Sequence, residues 1–225
     1  MLAKVMPSPW ISVEVLITLF VILAASAAMF WALVRRWESH RQWMALAEWA
    51  KENGMHFCGG DPAHLPQPLD ALAARQPIIR LCIGSDTTTL MQFQTTPPAQ
   101  QSGGLPVASG PAVWNVLLRK LESPPWRPTG LRPAATGASL LELFPLAGFP
   151  QLAGTDRFTV FGADSADARA LANSMIRSLL PPDVGLLLVA NHLVLDFSDR
   201  PFDEIELDRM LALAEQVVEK LPAPK

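Results

Sequence analysis

The 225-residue chain is half hydrophobic and only 17% charged, and its 18 Lys+Arg against 21 Asp+Glu give a net charge of −3. No basic excess is present to neutralise phosphates, which argues against a dedicated nucleic-acid binder. Two cysteines are too few for a disulfide framework or a four-cysteine zinc site, and the length suits one domain with something appended.

The appended part comes first. Across residues 11–34 the only charge is Glu14. Such a run makes roughly 36 Å of helix, enough for a hydrocarbon core of about 30 Å, and lipid permits no other backbone there. Ser8 is placed to cap this helix and Pro9 suits its first position. Trp10 on one side, with Trp31 and Trp37 on the other, predicts aromatic belts at the two interfaces, flanked by Arg35 and Arg36. A cleaved secretory signal is the competing reading, since Ala24, Ala25, Ser26, Ala27 and Ala28 are small. Against it, a signal's apolar core runs about 7–15 residues, and this one continues through Phe30, Trp31 and Leu33. Lys4 precedes the span while Arg35, Arg36, Arg41 and Lys51 follow it. The positive-inside rule then places everything beyond residue 34 in the cytoplasm. Ala24, Ala28 and Ala32 share one helix face, where small residues let another transmembrane helix approach closely.

Residues 35–53 contain no proline or glycine and are predicted to continue the span as a stalk, stopped by Gly54. Trp37, Trp43 and Trp49 recur every six residues and so spread around that helix. They are candidate interface anchors, core contacts or a docking surface. Core packing against the following domain is the favoured reading for Trp43 and Trp49, and these two with the later Trp126 are the candidate partner contacts. Strand patterns follow at 55–58, at 77–83 and 87–95 as a hairpin over Gly84-Ser85-Asp86, and at 112–121. Residues 96–111 and 123–138 are rich in proline and glycine and read as loops, the second carrying Trp126, Arg127 and Arg132. A strand at 157–162 leads to a helix capped by Asp164 or Ser165 and running to Leu180. A hairpin of 185–190 and 193–197 over Asn191-His192 precedes a last amphipathic helix capped by Asp203. The order predicts an α+β fold over residues 55–225, an antiparallel sheet with helices on one face.

Chemistry is harder to find. His56, Cys58, Asp61 and His64 offer metal-binding atoms, but their spacing matches no common zinc site, so neither metal nor cofactor is expected. Gly59-Gly60 and Gly103-Gly104 lack the lysine and following helix of a phosphate loop, and no G-x-S-x-G nucleophile occurs. His192 reads as a solvated turn residue. Asp164, Asp167, Asp196, Asp199, Asp203 and Glu204 read as caps and a soluble face. Cys58 and Cys82 read as small apolar strand residues on the reducing side of a membrane; on the oxidising side they would pair.

Four segments carry a resemblance: the stalk end Glu48-Trp49-Ala50-Lys51-Glu52-Asn53-Gly54-Met55-His56-Phe57, then Leu131-Arg132-Pro133, Phe158-Thr159-Val160-Phe161-Gly162 and Leu193-Val194-Leu195. Together they resemble an uncharacterised bacterial family of single-pass membrane proteins with a small cytoplasmic α+β domain. The resemblance implies that architecture, at a bacterial inner membrane, and brings no catalytic residues. The expected function is therefore a non-enzymatic membrane-anchored interaction module. It would be an accessory subunit held by the bilayer and by integral membrane partners, with a respiratory or photosynthetic complex as host. The alternative is a membrane-tethered ligand sensor or minor enzyme with a pocket in the domain. Lipid-headgroup contact by Arg35, Arg36 and Arg41 is a third reading.

Overall fold

The structure, a computed structural model, describes residues 13–58, 65–95, 112–122, 125–134, 140, 151–152, 157–162 and 165–222. It divides into two compact units, Met1–Ala45 and Leu46–Lys225.

One unbroken helix, α1 (Val13–Glu52), runs through the predicted span and stalk. Its most apolar 18 residues have a mean hydropathy of 2.4 and none is buried, so this helix is long and apolar enough to cross a membrane. It stops where the sequence says it should. Gly54 takes φ +66°, Met55 N–H donates to Ala50 O at 2.7 Å, and Gly54 N–H donates to Lys51 O at 3.2 Å. That pairing is the Schellman arrangement, and its left-handed position is cheap only for glycine. Leu46, Trp49 and Ala50 at the helix end are core residues of the second unit. The sheet domain therefore starts at Leu46 rather than at residue 55.

Among the described residues, nine strands form one antiparallel sheet. They are β1 (His56–Phe57), β2 (Ile78–Gly84), β3 (Thr88–Thr95), β4 (Ala112–Lys120), β5 (Trp126–Pro133), β6 (Gln151–Leu152), β7 (Phe158–Gly162), β8 (Gly185–Ala190) and β9 (His192–Asp196). Their order is β1-β2-β3-β4-β9-β8-β5-β7-β6. Side chains alternate between the two faces, as the period of a strand requires. Ile83, Leu90, Leu117, Leu186 and Leu195 pack with the helices α2 (Ser165–Ala172), α3 (Ile176–Leu179) and α4 (Glu204–Lys220). Cys82, Met91, Val116, Leu187 and Val194 face the other way, toward Leu69 and Leu72 of a short 3₁₀ segment, Leu69–Arg75. The α-helices thus lie on one face, as predicted, and the 3₁₀ segment lies on the other. A bulge between Ile79 and Leu81 shifts the register, so Ile79 joins the second face while Leu81 and Ile83 stay on the first.

Three local expectations change. Within the predicted 123–138 loop, residues 126–133 are β5, an interior strand between β8 and β7. Its prolines are accommodated at the positions a ladder tolerates: Pro128 falls in the register shift between Trp126 and Thr129, and Pro133 ends the strand. The predicted helix to Leu180 is two helices, because Ser174 Oγ–H donates to Leu171 O at 2.6 Å and competes with the helical ladder at the break. The β8–β9 turn is Ala190-Asn191, with Ala190 at φ +51°, so His192 opens β9 instead of sitting in the turn. The 96–111 loop and Asp164 lie outside the described residues. Asp203 does cap α4, its carboxylate accepting from Glu206 N–H at 2.9 Å.

Candidate functional site

Two regions concentrate the residues singled out by sequence. The first is the exposed run of α1. Phe20, Phe30, Trp31, Leu33 and Trp37 all stand exposed on it. At the end of the apolar stretch Arg35 lies 4.0 Å over the Trp31 ring, and Arg41 lies 5.1 Å over that of Trp37. Helical i, i+4 spacing makes both stacks, and each places a cation beside an indole, a combination suited to a headgroup boundary. Ala24, Ala28 and Ala32 are exposed along one helix face. Trp10 lies outside the described residues.

The second region is the domain, and there the tryptophans part company. Trp43 is about half exposed. Trp49, for which core packing is the favoured sequence reading, and Trp126, a candidate partner contact, are core residues at 5% and 3% exposure. Trp49 donates its indole N–H to Asp208 on α4 at 2.7 Å, tying the end of α1 to the last helix. Trp126 keeps its indole N–H buried and without an acceptor. Neither ring is available to a partner, because burying an indole in the home core satisfies its large apolar area first.

The densest charge cluster was missed by the sequence reading. Arg200, in the loop after β9, donates from Nε and Nη2 to the two oxygens of Asp183, each at 2.7 Å, and from Nη1 to Glu206. Glu206 is buried at 4% exposure in the first turn of α4 and also meets Arg209 at 3.2 Å. The Arg200 bond holds the Asp183 carboxyl below the usual carboxylate range, and the two carboxylates together hold the Arg200 guanidinium well above its own. Beside it, buried Asp196 accepts from Ser198 N–H at 3.2 Å and from Leu140 N–H at 2.7 Å. Asn115 donates to Arg200 O at 2.7 Å and accepts from Gln92 at 2.9 Å. These groups fix a loop. No histidine is among them, and the Ser198 hydroxyl is spent on Asp196.

One cleft opens on the helical side. It encloses about 400 Å³ and is lined by Arg157, Phe158, Ala172, Asn173, Ser174, Arg177 and Ser178. Both serine hydroxyls donate to backbone carbonyls, of Leu171 and Met175, so neither stands as a nucleophile. Arg157 lies 6.0 Å over Phe158, and Arg177 reaches Ala172 O at 3.3 Å. His192 is far from a solvated turn residue: its Nδ1 is buried and unpartnered, and burial pushes its pKa down. Among the described residues no three His, Cys, Asp or Glu side chains gather as metal ligands; Asp61 and His64 lie outside them.

No family model matches this chain, and no curated protein sequence matches it. Its fold is similar to the crystal structure of the mycobacterial trehalose monomycolate transport factor A, TtfA, with a TM-score of 0.56 and 11% identity. The match covers 81% of this chain and 97% of that one. At that identity the likeness is one of fold, and it agrees with the α+β architecture described above.

Proposed function

We propose that this chain is a single-pass, membrane-anchored accessory module without catalytic activity, held in a larger membrane assembly through its span and its sheet domain. The observation that carries this reading is the division of labour between the units. An exposed apolar helix ends in paired Trp–Arg stacks, while in the domain Asp203 caps α4, Arg200 ties its loop to Asp183 and Glu206, and Trp49 docks on Asp208. The Ala24, Ala28 and Ala32 face is where a transmembrane partner helix packs. The cationic flank Arg35, Arg36 and Arg41 puts the domain on the cytoplasmic side. The shared fold with a protein named as a transport factor is consistent with a transport-related host.

Mild detergent extraction followed by mass spectrometry tests the reading. The expected result is a stoichiometric integral membrane partner that is lost, or weakened several-fold, when Ala28 is changed to leucine. A monomeric, partner-free protein overturns it.

A second reading rests on the cleft. Arg157 and Arg177 flank it and no carboxylate is among its lining residues, so it suits a small anion. Inorganic phosphate or sulfate is then expected to raise the melting temperature of the wild type but not of Arg177→Ala. Equal shifts in both proteins dismiss the cleft.

A further inference from the structure

The chain's two cysteines, far apart in sequence, meet at the edge of the sheet. The β1–β2 register sets His56 against Gly84 and Phe57 against Ile83. One step further places Cys58 against Cys82, and Cys58 N–H donates to Cys82 O at 2.8 Å. Directly opposed residues in an antiparallel pair have Cα atoms about 4.5–5.5 Å apart, within the roughly 4.4–6.8 Å that a disulfide spans. Their side chains share a face, with Cys58 packed against the cluster that holds Cys82, and Cys58 Sγ–H is directed to His56 O at 3.9 Å. Gly84 makes room for this. A Cβ at its position would stand 3.0 Å from Cys58 Sγ, so any other residue would push the sulfur away.

We propose that Cys58 and Cys82 form a cross-strand dithiol that closes to an intramolecular disulfide by exchange with a small-molecule disulfide. The inference is independent of the accessory role. The two sulfurs have unequal parts. Cys58 is half-buried and reachable, whereas Cys82 is buried, and burial, with the neighbouring thiol, pushes its pKa up to about 12. Cys58, the reachable sulfur, gives up its proton and attacks one sulfur of oxidised glutathione, forming a mixed disulfide and releasing one glutathione thiolate. Cys82 then gives up its proton and attacks the Cys58 sulfur, and the second glutathione leaves as its thiolate. Two protein thiols are oxidised and one glutathione disulfide is reduced to two glutathione thiols. Closure staples β1, the strand that follows α1 through the Gly54 turn, to β2.

The test uses the full-length protein in detergent micelles, treated with oxidised glutathione, quenched with acid, denatured and alkylated, then mapped by peptide mass. The expected result is loss of both alkylation sites and a single Cys58–Cys82 linked peptide pair within one chain. In Cys82→Ser the reaction is expected to stop at a glutathione adduct on Cys58. In Cys58→Ser, Cys82 is expected to stay unmodified until the protein is denatured. Two thiols that remain alkylatable, a Cys58 adduct that never resolves in the wild type, or disulfides only between chains would each overturn the proposal.

Discussion

Replacing Arg200 with methionine is expected to destabilise the domain by about 3 kcal/mol, read as a shift of the urea midpoint. Methionine retains most of the side chain's apolar stem, so the loss reports the charge. Arg200 serves two carboxylates at once, and the more consequential is Glu206, which is buried and keeps only the longer contact to exposed Arg209 once Arg200 is gone. A buried charge stripped of its partner costs about 3–5 kcal/mol, and Arg209 places the expectation at the lower end. The double variant Arg200→Met, Glu206→Gln should recover much of the loss, because the stranded charge is removed with its partner. The acid limb gives a separate signature. Asp183 has a folded-state pKa below its unfolded value, so its contribution is present above the unfolded pKa and lost as pH falls through the lowered one. The wild type should lose that stability on acidification. Arg200→Met should not, since it has already lost the bond. An urea midpoint for Arg200→Met within about 1 kcal/mol of wild type would show that water serves both carboxylates as well as the guanidinium does.

Legibility followed the range of the physics involved. The span was readable because membrane thickness imposes a length on a contiguous apolar run, and α1 ends at the glycine that only a left-handed turn demands. The last helix was readable because its cap, Asp203, and its 3.6-residue stripe of Leu207, Met210, Ala214 and Val217 are local. β5 was hidden because Pro128 and Pro133 forbid a regular ladder, and only the register with β8 shows that a bulge and a strand end absorb them. The Ala190 turn was hidden because alanine gives no sign that tertiary pairing will hold it at positive φ. Arg200 and the cysteine pair share one reason. Their partners are chosen by strand register and loop path, so Asp183 and Glu206, or Cys58 and Cys82, are unremarkable until the sheet is built. The tryptophans show the converse: spacing every six residues could not say that Trp49 faces a core and Trp43 does not, since that depends on where the domain begins.

That boundary sets the other large effect. A fragment beginning at residue 42 is expected to be soluble without detergent and to melt cooperatively, while one beginning at residue 55 should be unfolded or aggregated under the same conditions. The two differ by the last turns of α1, which read as a mere stalk in sequence. In the structure those turns supply Leu46, Trp49 and Ala50 to the same core cluster as Leu207, Met210 and Val217. They also supply the indole N–H that Asp208 accepts. Losing a buried leucine costs about 2–5 kcal/mol and a buried tryptophan about 3–5 kcal/mol. Their sum is on the order of the whole 5–15 kcal/mol that keeps a domain folded, so the shorter fragment has little left. Circular dichroism melts of the two fragments decide the matter. Melting temperatures within a few degrees of each other would mean that the end of α1 merely lies against the domain. A wide gap would mean that the helix suited to the bilayer and the core of the sheet domain are covalently one element. The anchor could then not be trimmed back to the start of β1 without dismantling what it carries.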